Sequence, residues 1–255
     1  MQLTFLGTGT SQGVPVIACD CSVCSSKNLK DKRLRTSVMI EHNDKSIVID
    51  TGPDFRQQML RENVKDIEAV VYTHEHKDHT AGMDDIRAFN YFSKKDIPLY
   101  ANKLVEKSLR RDFHYAFGEL SYPGVPKVHI INIEKDTKFE IADIPFQTIE
   151  VMHYKLPVLG FRIKDLCYIT DVNYISEEEK EKIKGCKILI LSALRIEKHI
   201  SHFNLQEALE VIAEIKPEKA YLTHISHQLG EHNKISEELP QNVFLAYDGL
   251  KLDFN

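Results

Sequence analysis

The segment His74-Glu75-His76-Lys77-Asp78-His79 sets four candidate ligands for a transition metal, His74, His76, Asp78 and His79, within six residues. Imidazole nitrogen and carboxylate oxygen suit zinc, manganese and iron. The run follows a short apolar stretch, 69–72, that reads as a buried strand. A loop leaving such a strand can offer His74 and His76 to one ion and Asp78 and His79 to a second beside it. A solvated loop rich in histidine by chance would leave the ordered H-x-H-x-D-H spacing unexplained.

Three more apolar runs end in a residue of the same chemistry: His153, Asp171 and His224. Grouped by type, His74, His76 and His153 make one site, and Asp78, His79 and His224 a second. Asp171 bridges them, one oxygen to each. Two ions about 4 Å apart acidify a bridging water and clamp an oxyanion for in-line attack. Catalytic roles fall to Asp78, whose place beside His79 favours two ions over one, and to His202. His202 precedes a helical pattern, lies outside the ligand set, and is a candidate general acid for the leaving group. Asp50 closes the strand pattern 45–49, where a carboxylate can orient a metal-bound histidine from behind.

Cys19-Asp20-Cys21-Ser22-Val23-Cys24 can present three thiolates to one ion. The fourth ligand must come from elsewhere. His227, three residues beyond His224, is free to supply it. A structural zinc on Cys19, Cys21, Cys24 and His227 would pin the N-terminal loop beside the main site and support folding. An iron–sulfur cluster fits less well, because Cys167 and Cys186 both read as lying in apolar strands.

The elements that must position these groups follow from periodicity. Strand patterns cover 1–6, 36–41, 45–49, 69–72, 98–101, 138–141, 145–152, 159–163, 166–170, 188–192, 220–223, 243–246 and 250–254. Helical patterns cover 55–63, 82–92, 103–113 and 204–215, the last stopped by Lys216-Pro217. With no linker or repeat, residues 1–255 read as one domain: an α/β fold of two mixed sheets flanked by helices, an αββα sandwich. The glycine-rich loop Gly7 to Pro15 reads as a tight connection near the site, since no helix follows it to cradle phosphate. The aromatic stretch His114 to Val125, with Tyr122 and Pro123, reads as a loop at a substrate pocket or dimer contact. Arg35, Arg56 and Arg195 are candidates to touch a substrate phosphate.

The 33 basic and 38 acidic residues leave a formal charge of −5, so no basic excess points to nucleic acid. The N-terminal residues carry no signal-peptide pattern, and no apolar run nears the roughly 20 residues of a membrane span. A cytoplasmic protein with reduced thiols is expected.

Together, H-x-H-x-D-H at His74 to His79, then His153, Asp171 and His224, resemble the metallo-β-lactamase superfamily over nearly the whole chain. Within it, Cys19, Cys21 and Cys24 paired with His224-x-x-His227 resemble the PhnP group of phosphoribosyl cyclic phosphodiesterases. This resemblance implies the αββα fold, manganese or zinc at two active-site positions, and a structural zinc on the cysteine knuckle and His227. It places the general acid on His202 and implies a homodimer. The implied substrate is a small phosphorylated one, a five-membered cyclic phosphate on ribose opened by metal hydroxide at phosphorus. The alternatives are a nuclease like tRNase Z, a cofactor-biosynthesis protein like PqqB, and a non-catalytic metal-binding protein. The charge balance and the lack of a long tRNA-gripping insertion count against the nuclease.

Overall fold

The computed structural model describes residues 1–118 and 124–255. The strands are β1 (Gln2–Gly7), β2 (Ser37–His42), β3 (Lys45–Ile49), β4 (Ala69–Val71), β5 (Ile97–Ala101), β6 (Val128–Asn132), β7 (Lys138–Ile141), β8 (Ile144–His153), β9 (Leu156–Ile163), β10 (Leu166–Ile169), β11 (Ile188–Ser192), β12 (Lys219–Thr223), β13 (Val243–Leu245) and β14 (Lys251–Asp253). They form two seven-stranded sheets, ordered β14-β1-β2-β3-β4-β5-β6 and β13-β12-β11-β10-β9-β8-β7. Each sheet is mixed: β3 to β6 run parallel, as do β10 to β13, while the remaining pairs are antiparallel.

Both faces of each sheet are covered, which explains the unbroken apolar runs. In β3, Ile47 and Ile49 face the second sheet, while Val48 faces the helices. In β10, Leu166 and Tyr168 point between the sheets, and Cys167 and Ile169 point outward. The outer face of the first sheet buries Phe55 and Met59 of the helix Phe55–Arg61, and Val105 and Leu109 of Lys103–Asp112. The outer face of the second buries Ala208, Ile212 and Ile215 of Leu205–Ile215. That helix starts at a capping box, Asn204 with Glu207. The result is the αββα sandwich.

Strand direction decides where chemistry can sit. Asp50, Thr73-His74, Thr170-Asp171 and His224 follow the carboxyl ends of β3, β4, β10 and β12. β8 runs antiparallel to β9, and β9 antiparallel to β10, so His153 ends its strand at the same edge. Open α/β sheets gather ligands at that edge.

Some sequence expectations need correction. Residues 82–92 are a 3₁₀ turn, Met83–Ile86, followed by the helix Arg87–Ser93 rather than one helix. Cys167 lies in β10, but Cys186 lies in the turn before β11, because Gly185 at a φ of 75° breaks the chain out of the helix Glu177–Ile183. Part of the 114–125 loop is the helical turn His114–Phe117, and Tyr122 and Pro123 lie outside the described residues.

Candidate metal centre

Three of the gathered residues, Asp50, Asp171 and His224, take left-handed backbone φ values of 67°, 52° and 55°. Such angles are unfavourable away from glycine; they occur where Asp171 and His224 turn into the ligand cluster and where Asp50 turns behind it against His79. Two glycines let the metal loop come close. A Cβ on Gly52 would lie 2.2 Å from the carbonyl oxygen of Asp78, and one on Gly82 the same distance from that of Gly52.

The second ligand group is tight. His79 Nε2 lies 3.2 Å from Asp78 Oδ2 and 3.2 Å from Asp171 Oδ2. His224 Nε2 lies 3.2 Å from Asp171 Oδ1 and 3.7 Å from Asp78 Oδ2. The two carboxylates therefore link both imidazoles, and Asp171 directs one oxygen to each. In the other group, ring centroids are 4.5 Å apart for His74 and His76, 5.2 Å for His76 and His153, and 5.9 Å for His74 and His153. His74 is buried and His76 is exposed on the solvent side. His202 is buried at the rim of the cluster, its Nδ1 without a hydrogen bond. Its Nδ1 is 3.9 Å from Asp171 Oδ1, and its ring centroid is 4.4 Å from that of His153 and 4.8 Å from that of His224. His153, Asp171 and His202 also offer atoms within 4.8 Å of one another, so geometry alone makes His202 either an acid or a ligand.

Divalent metal binding fits these residues. The Nε2 atoms of His74, His79 and His224 are buried and make no hydrogen bond, although carboxylate oxygens crowd two of them. A buried imidazole nitrogen left unpaired costs roughly 1–3 kcal/mol. Donors that face one point instead of one another are arranged for a cation. On the far side of the rings the nitrogens are engaged. His79 Nδ1 meets Asp50 Oδ2 at 2.7 Å, His74 Nδ1 meets the Thr73 hydroxyl at 3.0 Å, and His153 Nδ1 donates to the Ser201 carbonyl at 2.7 Å.

Asp50 is fully buried and accepts from Thr73 N and Thr73 Oγ1, both at 2.8 Å. Burial pushes its carboxyl up, and the His79 imidazole pulls back. Such partners fix ring orientation and ligand basicity. Asp50→Asn should therefore weaken metal binding about 10- to 100-fold, read by competition with a chromophoric chelator. Unchanged affinity would show that His79 is held without it.

Sequence reasoning missed the hydroxyl supports. Thr170 Oγ1 donates to Asp171 Oδ2 at 2.7 Å, and Thr73 joins Asp50 to His74. The signal was partly present: His74 and Asp171 each follow a threonine that supports them, whereas Thr223 before His224 has a buried hydroxyl that bonds nothing among the described residues.

The knuckle residues meet as well. His227 Nδ1 lies 3.3 Å from Cys19 Sγ, 3.4 Å from Cys21 Sγ and 3.6 Å from Cys24 Sγ. Tetrahedral zinc, at ~2.3 Å to sulfur and ~2.0 Å to nitrogen, would set such edges at roughly 3.5 Å. The Cys24 backbone N–H and then His227 push the Cys21 thiol down to about 6. The loop 7–15 docks here by backbone pairing, with Thr10 N donating to Ile225 O at 3.1 Å and Ile225 N to Thr8 O at 2.9 Å. Cys24→Ser should release one equivalent of zinc. A destabilisation of about 3 kcal/mol would lower the melting midpoint by roughly 6–12 °C, measured calorimetrically. An unchanged midpoint with zinc lost would leave the knuckle no folding role.

Two of the arginines considered for phosphate are occupied. Arg35 bonds Asp54 Oδ1 at 3.1 Å and Ser11 O at 3.1 Å, and Arg195 donates to three oxygens of its surroundings. Arg56 is exposed. Among the described residues, no helix is long and apolar enough to cross a membrane.

A beta-lactamase superfamily domain matches residues 45–225, a span that runs from β3 past His224. A solved structure described as a new diphosphatase from the PhnP family is 39% identical, with a TM-score of 0.93, covering 100% of this chain and 98% of that one. An octanoyltransferase of Porphyromonas gingivalis (strain ATCC BAA-308 / W83) is 38% identical over 98% of this chain. This chain spans only 51% of that protein, about half its length. Zn(2+)-bound PqqB from Methylobacterium extorquens is 19% identical with a TM-score of 0.80 over 100% of both chains, a likeness of fold alone. By its domain match and by its 39% identity to the PhnP-family structure across both lengths, the chain belongs to the beta-lactamase superfamily and, within it, to the PhnP family.

Proposed function

We propose that this metal-dependent hydrolase is a phosphodiesterase that opens a small cyclic phosphodiester of the ribose 1,2-cyclic phosphate kind. The observation that carries the proposal is His202 on the rim, 3.9 Å from the carboxylate that links the two ligand groups. Two divalent ions, manganese or zinc, held by His74, His76, His153, Asp78, His79, His224 and Asp171, supply Lewis acidity and an acidified water when bound. The chain supplies the rest. Asp50, Thr73, Thr170 and the Ser201 carbonyl hold the ligands in orientation. His202 gives its proton to the departing ribose oxygen. Burial, then His224, pushes the free imidazole down to about 3. An anionic substrate beside the ring opposes these effects and favours its protonated form.

The description of the 39%-identical relative as a diphosphatase favours a second substrate class, a P–O–P anhydride. In-line attack at phosphorus serves both classes, but a phosphate leaving group needs no acid.

The test is a panel of ribose cyclic phosphate, cyclic nucleotides, a dinucleoside diphosphate and pre-tRNA, with protein that is metal-loaded or chelated. Metal-dependent opening of a cyclic phosphodiester supports the proposal. Turnover of the diphosphate alone replaces it with the second reading. No turnover by fully loaded protein overturns both.

A further inference from the structure

The loop that carries His202 has no helix or strand of its own between Arg195 and Asn204. Its neck is closed by two backbone bonds, Leu194 N to Phe203 O at 3.0 Å and Leu205 N to Arg195 O at 2.9 Å. Beyond the neck, Ile196 and Ile200 are exposed and pack into no core. The half of the loop next to the site is tied down. Ser201 O accepts from His153 Nδ1 at 2.7 Å, and Ile200 O from Asn173 Nδ2 at 3.2 Å. The other half is held chiefly by one side chain, besides an exposed pair of Lys198 Nζ with Glu207 Oε1 at 3.9 Å. Arg195 Nε donates to Glu197 O at 3.1 Å and Nη2 to Lys198 O at 2.7 Å. Its Nη1 donates to Gln228 Oε1 at 3.0 Å. Gln228 follows His227 of the knuckle, and its N–H is held by the Ser226 hydroxyl at 3.2 Å.

We infer that Arg195 is a positioning residue for His202, a guanidinium staple that fixes the 195–202 loop to the knuckle segment through Gln228. The inference rests on the reading of His202 as the acid. A planar fork suits the task, because three nitrogens reach three oxygens in one fixed geometry. Lysine could satisfy only part of it. With the staple gone, the loop keeps its neck and its tie to His153 but loses its outer half. His202 stays held on either side, by Ser201 O and by Phe203 N donating to Val172 O at 2.7 Å. It loses the outer half of the loop behind it, including His199, whose ring centroid lies 5.1 Å from its own, and with it the fixed ring placement that protonating the leaving oxygen needs.

The experiment uses metal-loaded protein, Arg195→Ala, Arg195→Lys and Gln228→Ala. Hydrogen exchange at the amides of 196–202 reads loop order without any substrate. Turnover is compared between an ester with an alkoxide leaving group and one with p-nitrophenolate, which departs without a proton. In Arg195→Ala the loop should lose protection, and kcat on the alkoxide ester should fall about 10- to 100-fold. Metal content and turnover of the p-nitrophenyl ester should stay near wild type. Arg195→Lys should not restore the alkoxide rate. Gln228→Ala, at an exposed position, should reproduce the exchange change in milder form. Unchanged protection, or an equal fall on both esters, would overturn the inference. If wild type turns over neither ester, the phosphodiesterase reading fails, and the exchange measurement still decides the staple.

Discussion

Asp171→Ala should bring metal-dependent turnover down to background, a loss of about 10³-fold or more, given that Lewis-acid stabilisation is worth several kcal/mol. Among the described residues, Asp171 is the one carboxylate whose separate oxygens each lie 3.2 Å from an imidazole nitrogen, on His79 and on His224. Burial opposes its charge, but His224 and then His79 overcome it and hold the carboxyl well below its ordinary range. A buried anion surrounded by histidines is arranged for cations. Removing it should lower the metal stoichiometry, counted by elemental analysis, by at least one ion per chain. The loss should not reflect unfolding. Without metal, removing the carboxylate leaves His79 and His224 without their partner, so the metal-free variant should melt below metal-free wild type, and the stoichiometry is counted at a temperature where both stay folded. Asp171→Asn is the sharper control. Asparagine tolerates the left-handed φ of 52° and keeps the size, but it cannot offer two anionic oxygens. Retention of full stoichiometry by Asp171→Asn would remove the bridging role.

The features that converge on this centre were legible in sequence because metal chemistry restricts residue type and spacing at once. H-x-H-x-D-H after an apolar run, and histidine or aspartate at the ends of others, leave few arrangements. The exposure of His76 and the rim position of His202 were not legible, since both depend on how two sheets stack. Asp50 could be read as a surface turn or as a support, and only its zero exposure and its 2.7 Å contact with His79 separate the two. Among the elements, β6 escaped because His129 interrupts a five-residue run on a half-buried strand. The helix Glu177–Ile183 escaped because its seven residues bury only Glu179 and Ile183 and otherwise read as a charge cluster. Its start is nonetheless marked by Ser176, which caps Glu179 N. The Arg195 staple was invisible because its acceptors are backbone carbonyls, which carry no residue identity.

His202→Ala separates the two roles that geometry leaves open for this residue. If His202 is the acid, its loss should slow an ester with an alkoxide leaving group by about 10²- to 10⁴-fold. An alkoxide is a poor leaving group and needs the proton as the bond breaks. A p-nitrophenyl ester expels a stable anion, so its rate should change far less, and the stoichiometry of bound metal should stay at the wild-type value. If His202 is a ligand beside His153 and Asp171, metal is lost and both esters slow together. The pH profile gives an independent sign. An acid works only when protonated, so the wild-type kcat on the alkoxide ester should decline as pH rises through the imidazole pKa in the substrate complex. That declining limb should be absent from His202→Ala. Burial and His224 push the free imidazole down to about 3, so the limb should appear in kcat, which reports the bound complex. In kcat/KM, which reports free protein, it should lie at much lower pH. A declining limb that survives in the variant would assign the proton to another group and leave His202 as a residue that only lines the rim.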